Sequence, residues 1–333
     1  MAVAAENARR AEDGCALRVT LFDGERAKQL ETLDDIPRRI GSSSLLWIDA
    51  GTPSEEDARR IAETLDLDDD TVGFLTAARG TRFRDGGDFV AVTLYAPEAE
   101  DLDSVVELGC VVGKRWIVTC HATRIDVLDE FAQLAEGSGP TGELDGPSFL
   151  ATLVAWVLKA YDGAFDHLEE QLEVLDEDAM RGQGAPEAHI ESLVDLRQRA
   201  GRLRRALSSH RAALLALTHP ELEALGDDVS AQRFQELLSS YETTLQTARD
   251  TRASIVSSFD VVIARTGQRT NDVMKVLTLA SVILLPGTLL AGVMGMNFRA
   301  PLFTHPELFW VVLGVIALIA VVALAIARAF DWI

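Results

Sequence analysis

Apolar residues in the first part of the chain fall in short runs separated by polar breaks. ALRVTLF (16–22), SLLWIDA (44–50), FVAVTLY (89–95), VVELGCVV (105–112) and RWIVTCH (115–121) are rich in β-branched and aromatic residues. Bounded by Gly, Asp or Lys, they predict strands. Between them SEEDARRIAETLDL (54–67) opens on Ser54 followed by acids, as a capped helix does. This alternation predicts a small mixed sheet with helices. The stretch EGSGPTGELDGP (136–147) reads as a loop. Beyond it the period becomes helical: one helix over 148–180, a break at RGQGAP, a second over 186–218, and a third from about residue 230. The first two predict a hairpin.

No proline interrupts the third helix before Pro286. Phe234, Tyr241, Ala248, Ile255 and Val262 are spaced by sevens along it. Leu238, Leu245 and Phe259 fall on a second such line, interrupted by Arg252. A sustained seven-residue stripe predicts helices packed side by side, often between chains. One helix over 230–297 would be on the order of 100 Å long at about 1.5 Å per residue. A stalk entering a membrane needs that length. Accordingly, 276–296 is apolar apart from Thr278, Ser281 and Thr288, and 308–327 is apolar throughout. Each is about the 20 residues that span a bilayer. Trp310 and Trp332 flank the second run, as interfacial belts do.

The fold expected is an α+β membrane protein. Its parts are a lead (1–15), a cytosolic α/β domain (16–147), a helical hairpin (148–229), a stalk helix (230–275), a first transmembrane helix (276–297), an outer loop (298–307), a second transmembrane helix (308–328) and a short tail (329–333). The formal charge of −21 changes this picture in one respect. From residue 271 onward Asp272, Glu307 and Asp331 balance Lys275, Arg299 and Arg328, so the preceding residues carry the whole excess of acid. An acidic body argues against nucleic acid as a partner and suits cations. Cys15, Cys110 and Cys120 form no spaced cluster, which predicts a reducing compartment and no structural zinc, with Cys110 and Cys120, in apolar strand-like runs, as buried thiols. The N-terminus has no apolar core of signal-peptide length. Both termini are therefore expected on the cytosolic side of the inner membrane. No P-loop, nucleophile elbow or metal-hydrolase motif is present, so an enzyme is not expected.

A polar line crosses the first apolar run. Asp260, Gly267, Met274, Ser281 and Thr288 are seven apart, and Asn271 and Thr278 lie beside them. In lipid such a stripe faces a cavity or another helix. The segment TNDVMKVLTLASVILLPGTLLAGVMGMNF (270–298) closely resembles the first transmembrane helix of the CorA family of divalent-cation channels. Its Asn-x-x-Met-Lys-x-Leu-Thr start, Pro286 and terminal Gly-Met-Asn carry the likeness. Met294 stands where the family usually has an aromatic, and Arg299 where an acid is common.

The resemblance implies a homopentamer in the bilayer whose first spans line a central pore. Gly295, Met296 and Asn297 would form the outer mouth, Gly295 freeing the backbone to end the helix. Asn271, Ser281 and Thr288 would be polar pore positions. Met274 and Leu277 would make an apolar constriction, with Asp260 an acidic ring below it. Cytosolic divalent cation would hold the pore closed, bound by Glu236 of the stalk with Asp68, Asp69 or Asp70 across a subunit interface. No cofactor is expected beyond the cation itself, Mg²⁺ or else Zn²⁺ or Co²⁺. Two other readings stay open. One is the ZntB branch, moving zinc coupled to protons. The scattered histidines argue for oxygen chemistry over the imidazole ligands zinc prefers. The other is a non-conducting, membrane-anchored cation sensor, which would have no need of a polar stripe.

Overall fold

The run SLLWIDA becomes a strand buried at all seven positions, β3 (Ser44–Ala50). Its central stretch, residues 45–48, is a continuous apolar run because both of its faces are covered. Around it a computed structural model shows one seven-stranded sheet of order β2-β1-β3-β7-β6-β5-β4. The structure describes residues 17–24, 26–37, 40–51, 53–77, 83–98, 105–123, 125–137, 141, 144–219, 222, 228–296 and 307–329. The other strands are β1 (Arg18–Asp23), β2 (Arg26–Leu30), β4 (Phe83–Asp85), β5 (Phe89–Pro97), β6 (Val105–Gly113) and β7 (Trp116–His121). β3 and β7 pair in parallel, from Leu46 opposite Trp116 to Ala50 opposite Cys120. Every other described pairing is antiparallel. The sequence pattern misses β2 and β4, which form the two edges. β2 is RAKQL, almost wholly exposed. Charge on an edge strand blocks pairing with other chains and also erases the apolar alternation that marks a strand.

Helices α1 (Glu55–Leu65), α2 (Asp69–Ala77) and α3 (Asp126–Gly137) accompany the sheet. Ser54 caps α1, its hydroxyl accepting from the Asp57 amide at 3.0 Å. Three long helices follow: α4 (Gly146–Arg181), α5 (Pro186–Leu217) and the 68-residue α6 (Asp228–Gly295); α7 (Glu307–Ala329) ends the described chain. α4 starts hard against the sheet. The Gly146 amide donates to the Lys114 carbonyl at 2.9 Å. A Cβ at Gly146 would lie 2.0 Å from the Gly113 carbonyl oxygen, so only glycine can begin the helix there. One turn on, Phe149 packs on Trp47, with ring centroids 5.4 Å apart.

The chain divides into two compact units, Met1–Leu175 with Glu191–Ser257, and Asp176–Ile190 with Ser258–Ile333. In the first unit α6 packs within its own chain. Phe234, Tyr241, Ala248 and Ile255 of the seven-spaced line are fully buried there. Thr251 donates to Glu169 of α4 at 2.7 Å. A stripe of this kind is often filled by a neighbouring chain; here the chain's own helices fill it. Fully burying a side chain such as Phe234 is worth about 1.5–3 kcal/mol. In the second unit the α4–α5 turn is fastened to α6. Ser258 donates to Asp176 at 2.8 Å, and Arg265 donates to the Met180 carbonyl at 2.6 Å. Gly182 and Gly184 have φ of +70° and +79°, which lets the chain turn between α4 and α5.

Candidate functional site

The end of α6 and all of α7 are long and apolar enough to cross a membrane. Their large side chains are open: Leu277 is 60% exposed, Leu289 70% and Trp310 70%. Apolar surface on this scale needs lipid or other chains to cover it. The two helices approach each other at Gly287. A Cβ at Gly287 would lie 3.4 Å from Ile316 of α7. Leu279, Ile283, Pro286 and Leu290 are half-buried on that side of α6. At about 100° per residue, the line Met274, Ser281, Thr288 lies roughly 150° around the helix from it. The polar line therefore runs on the side of α6 away from α7.

The chemistry of that line follows from its hydroxyls. Ser281 donates to the Leu277 carbonyl at 2.8 Å, and Thr288 to the Leu285 carbonyl at 2.9 Å. Their protons are taken up by the helix, so their oxygens present lone pairs outward, as acceptors. Asp260, Asn271 and Met274 are exposed, Ser281 half-buried. Met274 and Leu277 lie about one turn apart on α6. Pro286 has no amide to give Val282, which leaves that carbonyl without its helical donor.

Gly295 is the last residue of α6, and the Met296 amide closes the final turn on the Val293 carbonyl at 3.2 Å. Met296 is exposed; Asn297 and residues 298–306 of the expected outer loop, Arg299 among them, lie outside the described residues, as does Cys15, while Glu307, expected in that loop, begins α7. The backbone freedom expected of Gly295 is not used in this chain. Its φ is not among the positive values, and a Cβ there would meet nothing within 4 Å.

The acids expected to bind cytosolic cation differ among themselves. Asp68 caps α2, accepting from the Thr71 amide at 3.0 Å, and it forms an ion pair with Arg84. The Thr71 hydroxyl bond holds its carboxyl below the usual range; burial opposes this and Arg84 adds to it. Asp70 lies 3.8 Å from Arg84. Asp69 and Asp70 are exposed in the first turn of α2. Glu236 is exposed on α6 and accepts from Gln232 at 3.2 Å. Among the described residues no three His, Cys, Asp or Glu side chains converge as a metal site, so Glu236 and the three aspartates are not brought together in one chain. Cys110 and Cys120 are free and buried, as expected. Sequence reasoning missed the buried pair of Asp49 and His121, 3.2 Å apart, and a cavity beside the α4–α5 turn.

The chain is similar to known proteins along most of its length. It is 23% identical over 294 residues to the cobalt/magnesium transport protein CorA of Methanocaldococcus jannaschii, covering 87% of this chain and 92% of that one. To the zinc transport protein ZntB of Klebsiella pneumoniae it is 24% identical over 304 residues, 85% of each chain. The complete structure of the CorA magnesium transporter from M. jannaschii superposes with a TM-score of 0.76 at 21% identity, covering 95% of this chain and 98% of that chain. That likeness establishes the shared architecture: an N-terminal α/β domain, a long helix and two C-terminal apolar helices. The CorA-like Mg²⁺ transporter protein model matches residues 42–328, and the chain belongs to that family.

Proposed function

We propose that this chain is one subunit of a pentameric channel admitting Mg²⁺ to the cytosol, with both termini on the cytosolic side. One observation carries the reading: the line Met274, Ser281, Thr288 runs on the side of α6 turned away from α7. That side is free to meet its copies around an axis, while α7 rings the outside. Magnesium gives up its water reluctantly. A path of neutral acceptors suits the hydrated ion, because hydroxyl, amide and carbonyl oxygens hold its waters weakly enough to release them. Gly295, Met296 and Asn297 would present such acceptors at the outer mouth. Gly295, which its own chain does not require, would be needed where copies of α6 crowd at the axis. Met274 and Leu277 would close the path by excluding water, and Asp260 would draw the cation onward.

Closure would come from divalent cation bridging Glu236 to acids of a neighbouring subunit. Asp69 and Asp70 are the better partners, since Asp68 both caps α2 and pairs closely with Arg84, whereas Asp70 lies at 3.8 Å from that arginine. The relatives named for cobalt and magnesium support the cation; those named for zinc supply the competitor. Reconstitution in liposomes decides between them. Mg²⁺ influx without a proton gradient is the expected result, with five subunits by native mass. Flux of Zn²⁺ alone, driven by a proton gradient, would sink the magnesium reading. No flux of either would leave an anchored sensor.

A further inference from the structure

The second unit holds a cavity of about 330 Å³ between the α4–α5 turn and the flank of α6. Its walls include Arg181, Gln183, His189, Arg265, Arg269 and Asp272. In a chain of charge −21, this wall is positive. Arg181 is neutralised by Glu177 at 3.0 Å, and Asp272 by Lys275 at 3.0 Å. Arg265 donates only to neutral acceptors, the Met180 carbonyl and the Gln268 amide. Arg269 forms no ion pair with any described residue. Two guanidinium charges thus line one concavity without a carboxylate partner of their own, Asp272 of the same wall being paired with Lys275. Pro186, the first residue of the 32-residue α5, also lines it. The positive end of that helix dipole adds to the same field.

The cavity's place along α6 says where its ligand would come from. Arg269 precedes Val276, the start of the apolar run, by seven residues. At about 1.5 Å per residue that is roughly 10 Å. The headgroup layer on one side of a bilayer is about 5–7 Å thick. A guanidinium on its long stem spans the remainder. We propose that this cavity binds the phosphate of an anionic phospholipid in the leaflet nearest the α4–α5 turn, held by Arg265 and Arg269. The planar guanidinium fork matches phosphate oxygens. Bound there, the lipid would hold the turn against α6. Free phosphate offers the same chemistry from solution. The site rests on α6 entering the bilayer, as proposed above.

Thermal unfolding of the full-length protein in detergent, followed by tryptophan fluorescence, provides the test. Phosphatidylglycerol is expected to raise the midpoint of the wild type, and phosphatidylcholine not to. In Arg269→Gln the rise should fall by more than half. Arg269→Lys, keeping charge but not the fork, should be intermediate. Arg59→Gln, on α1 of the first unit, should respond like the wild type. An equal rise in wild type and Arg269→Gln overturns the site. An equal, Arg269-dependent rise with millimolar inorganic phosphate overturns the lipid as the source and keeps the anion site. Mg²⁺ flux by the same variants in vesicles reports separately. Flux without lipid-dependent stabilisation removes the anion site alone; stabilisation without flux removes the channel reading alone.

Discussion

His121 and Asp49 meet across the parallel step of the sheet, with Nε2 3.2 Å from Oδ1. The other ring nitrogen, Nδ1, lies 2.7 Å from the Thr123 carbonyl. Both nitrogens therefore face acceptors, which suits the doubly protonated ring. The Thr119 hydroxyl donates to the same Asp49 oxygen at 2.7 Å and accepts from Trp47 Nε1 at 3.0 Å. Burial pulls the imidazole pKa down. The Asp49 hydrogen bond and charge, joined by the Thr123 carbonyl and Asp129, outweigh it, and the net shift is upward.

The sign of the pH effect follows. A raised pKa gives stability that is complete below the ordinary value of 6.5 and is lost as pH rises through the folded value. The unfolding midpoint of the purified protein should fall as pH is raised from about 6.5. His121→Gln should remove that alkaline dependence. Asp49→Asn should cost about 2–3 kcal/mol below the ordinary imidazole range, where the ring is charged and loses its partner. An unaltered pH profile in His121→Gln would falsify the assignment.

His210 predicts the opposite limb. Its ring is fully buried, and Nε2 accepts from the Tyr95 amide at 2.7 Å. Burial lowers its pKa to about 4, against a smaller upward pull from that bond. The folded state keeps the ring neutral while the unfolded chain protonates it, so stability is lost as pH falls from 6.5 toward 4. The drop from 6.5 to about 4 corresponds to about 3 kcal/mol. His210→Gln, which keeps an acceptor for Tyr95, should flatten this acid limb. A limb of undiminished slope in that variant would show that the carboxylates, and not His210, set it.

The interior strands were legible because burial on both faces leaves them mostly apolar and β-branched, with the few polar residues, such as Asp49 and Thr119, paired inside. β2 was not, because a strand at a sheet edge carries the same charged residues as a loop. The membrane spans were legible by length and apolarity alone. The partner of the seven-spaced stripe was not. Phe234 and Tyr241 look the same in sequence whether another copy covers them or the chain's own α4 and α5 do. The polar line of the first span could be read by counting sevens, but not its direction, which depends on where α7 packs. Three-residue spacing from Asp68 to Thr71 could have been read as a helix cap, leaving Asp69 and Asp70 as the freer acids. The arginine-lined cavity joins residues 181–189 to 265–272, and no local pattern links segments so far apart.

The regulatory reading separates these acids by experiment. Hydrogen exchange along α6 is expected to slow in millimolar Mg²⁺ in the wild type, because cation between subunits offsets the repulsion of acidic bodies. That requires the ion to bind the closed form more tightly than the open one. Glu236→Ala should weaken the protection, and Asp70→Asn should weaken it too. Asp68→Ala should instead loosen α2 by about 1 kcal/mol, with or without cation. Protection that is absent in the wild type, or unchanged in Glu236→Ala, removes Glu236 from the mechanism.

The pore predictions divide between mouth and constriction. At the mouth, Asn297→Ala is expected to abolish Mg²⁺ flux while subunits still assemble. Gly295→Val is a sharper probe. No positive φ and no neighbour within 4 Å demand glycine in the single chain, so the variant should fold with α6 intact. If copies of α6 crowd at an axis, its flux should nonetheless fall at least tenfold, roughly 1.4 kcal/mol on the barrier. Normal flux in Gly295→Val would place residue 295 away from the axis. At the constriction, Met274 is an apolar residue 55% exposed on the polar line. Met274→Gly should admit water and give a leakier pore, less sensitive to internal cation, whereas Val273→Ala, one residue around the helix, should leave flux unchanged. Equal conduction by Met274→Gly and wild type would move the narrowest point to another ring, with Asp260 the next candidate.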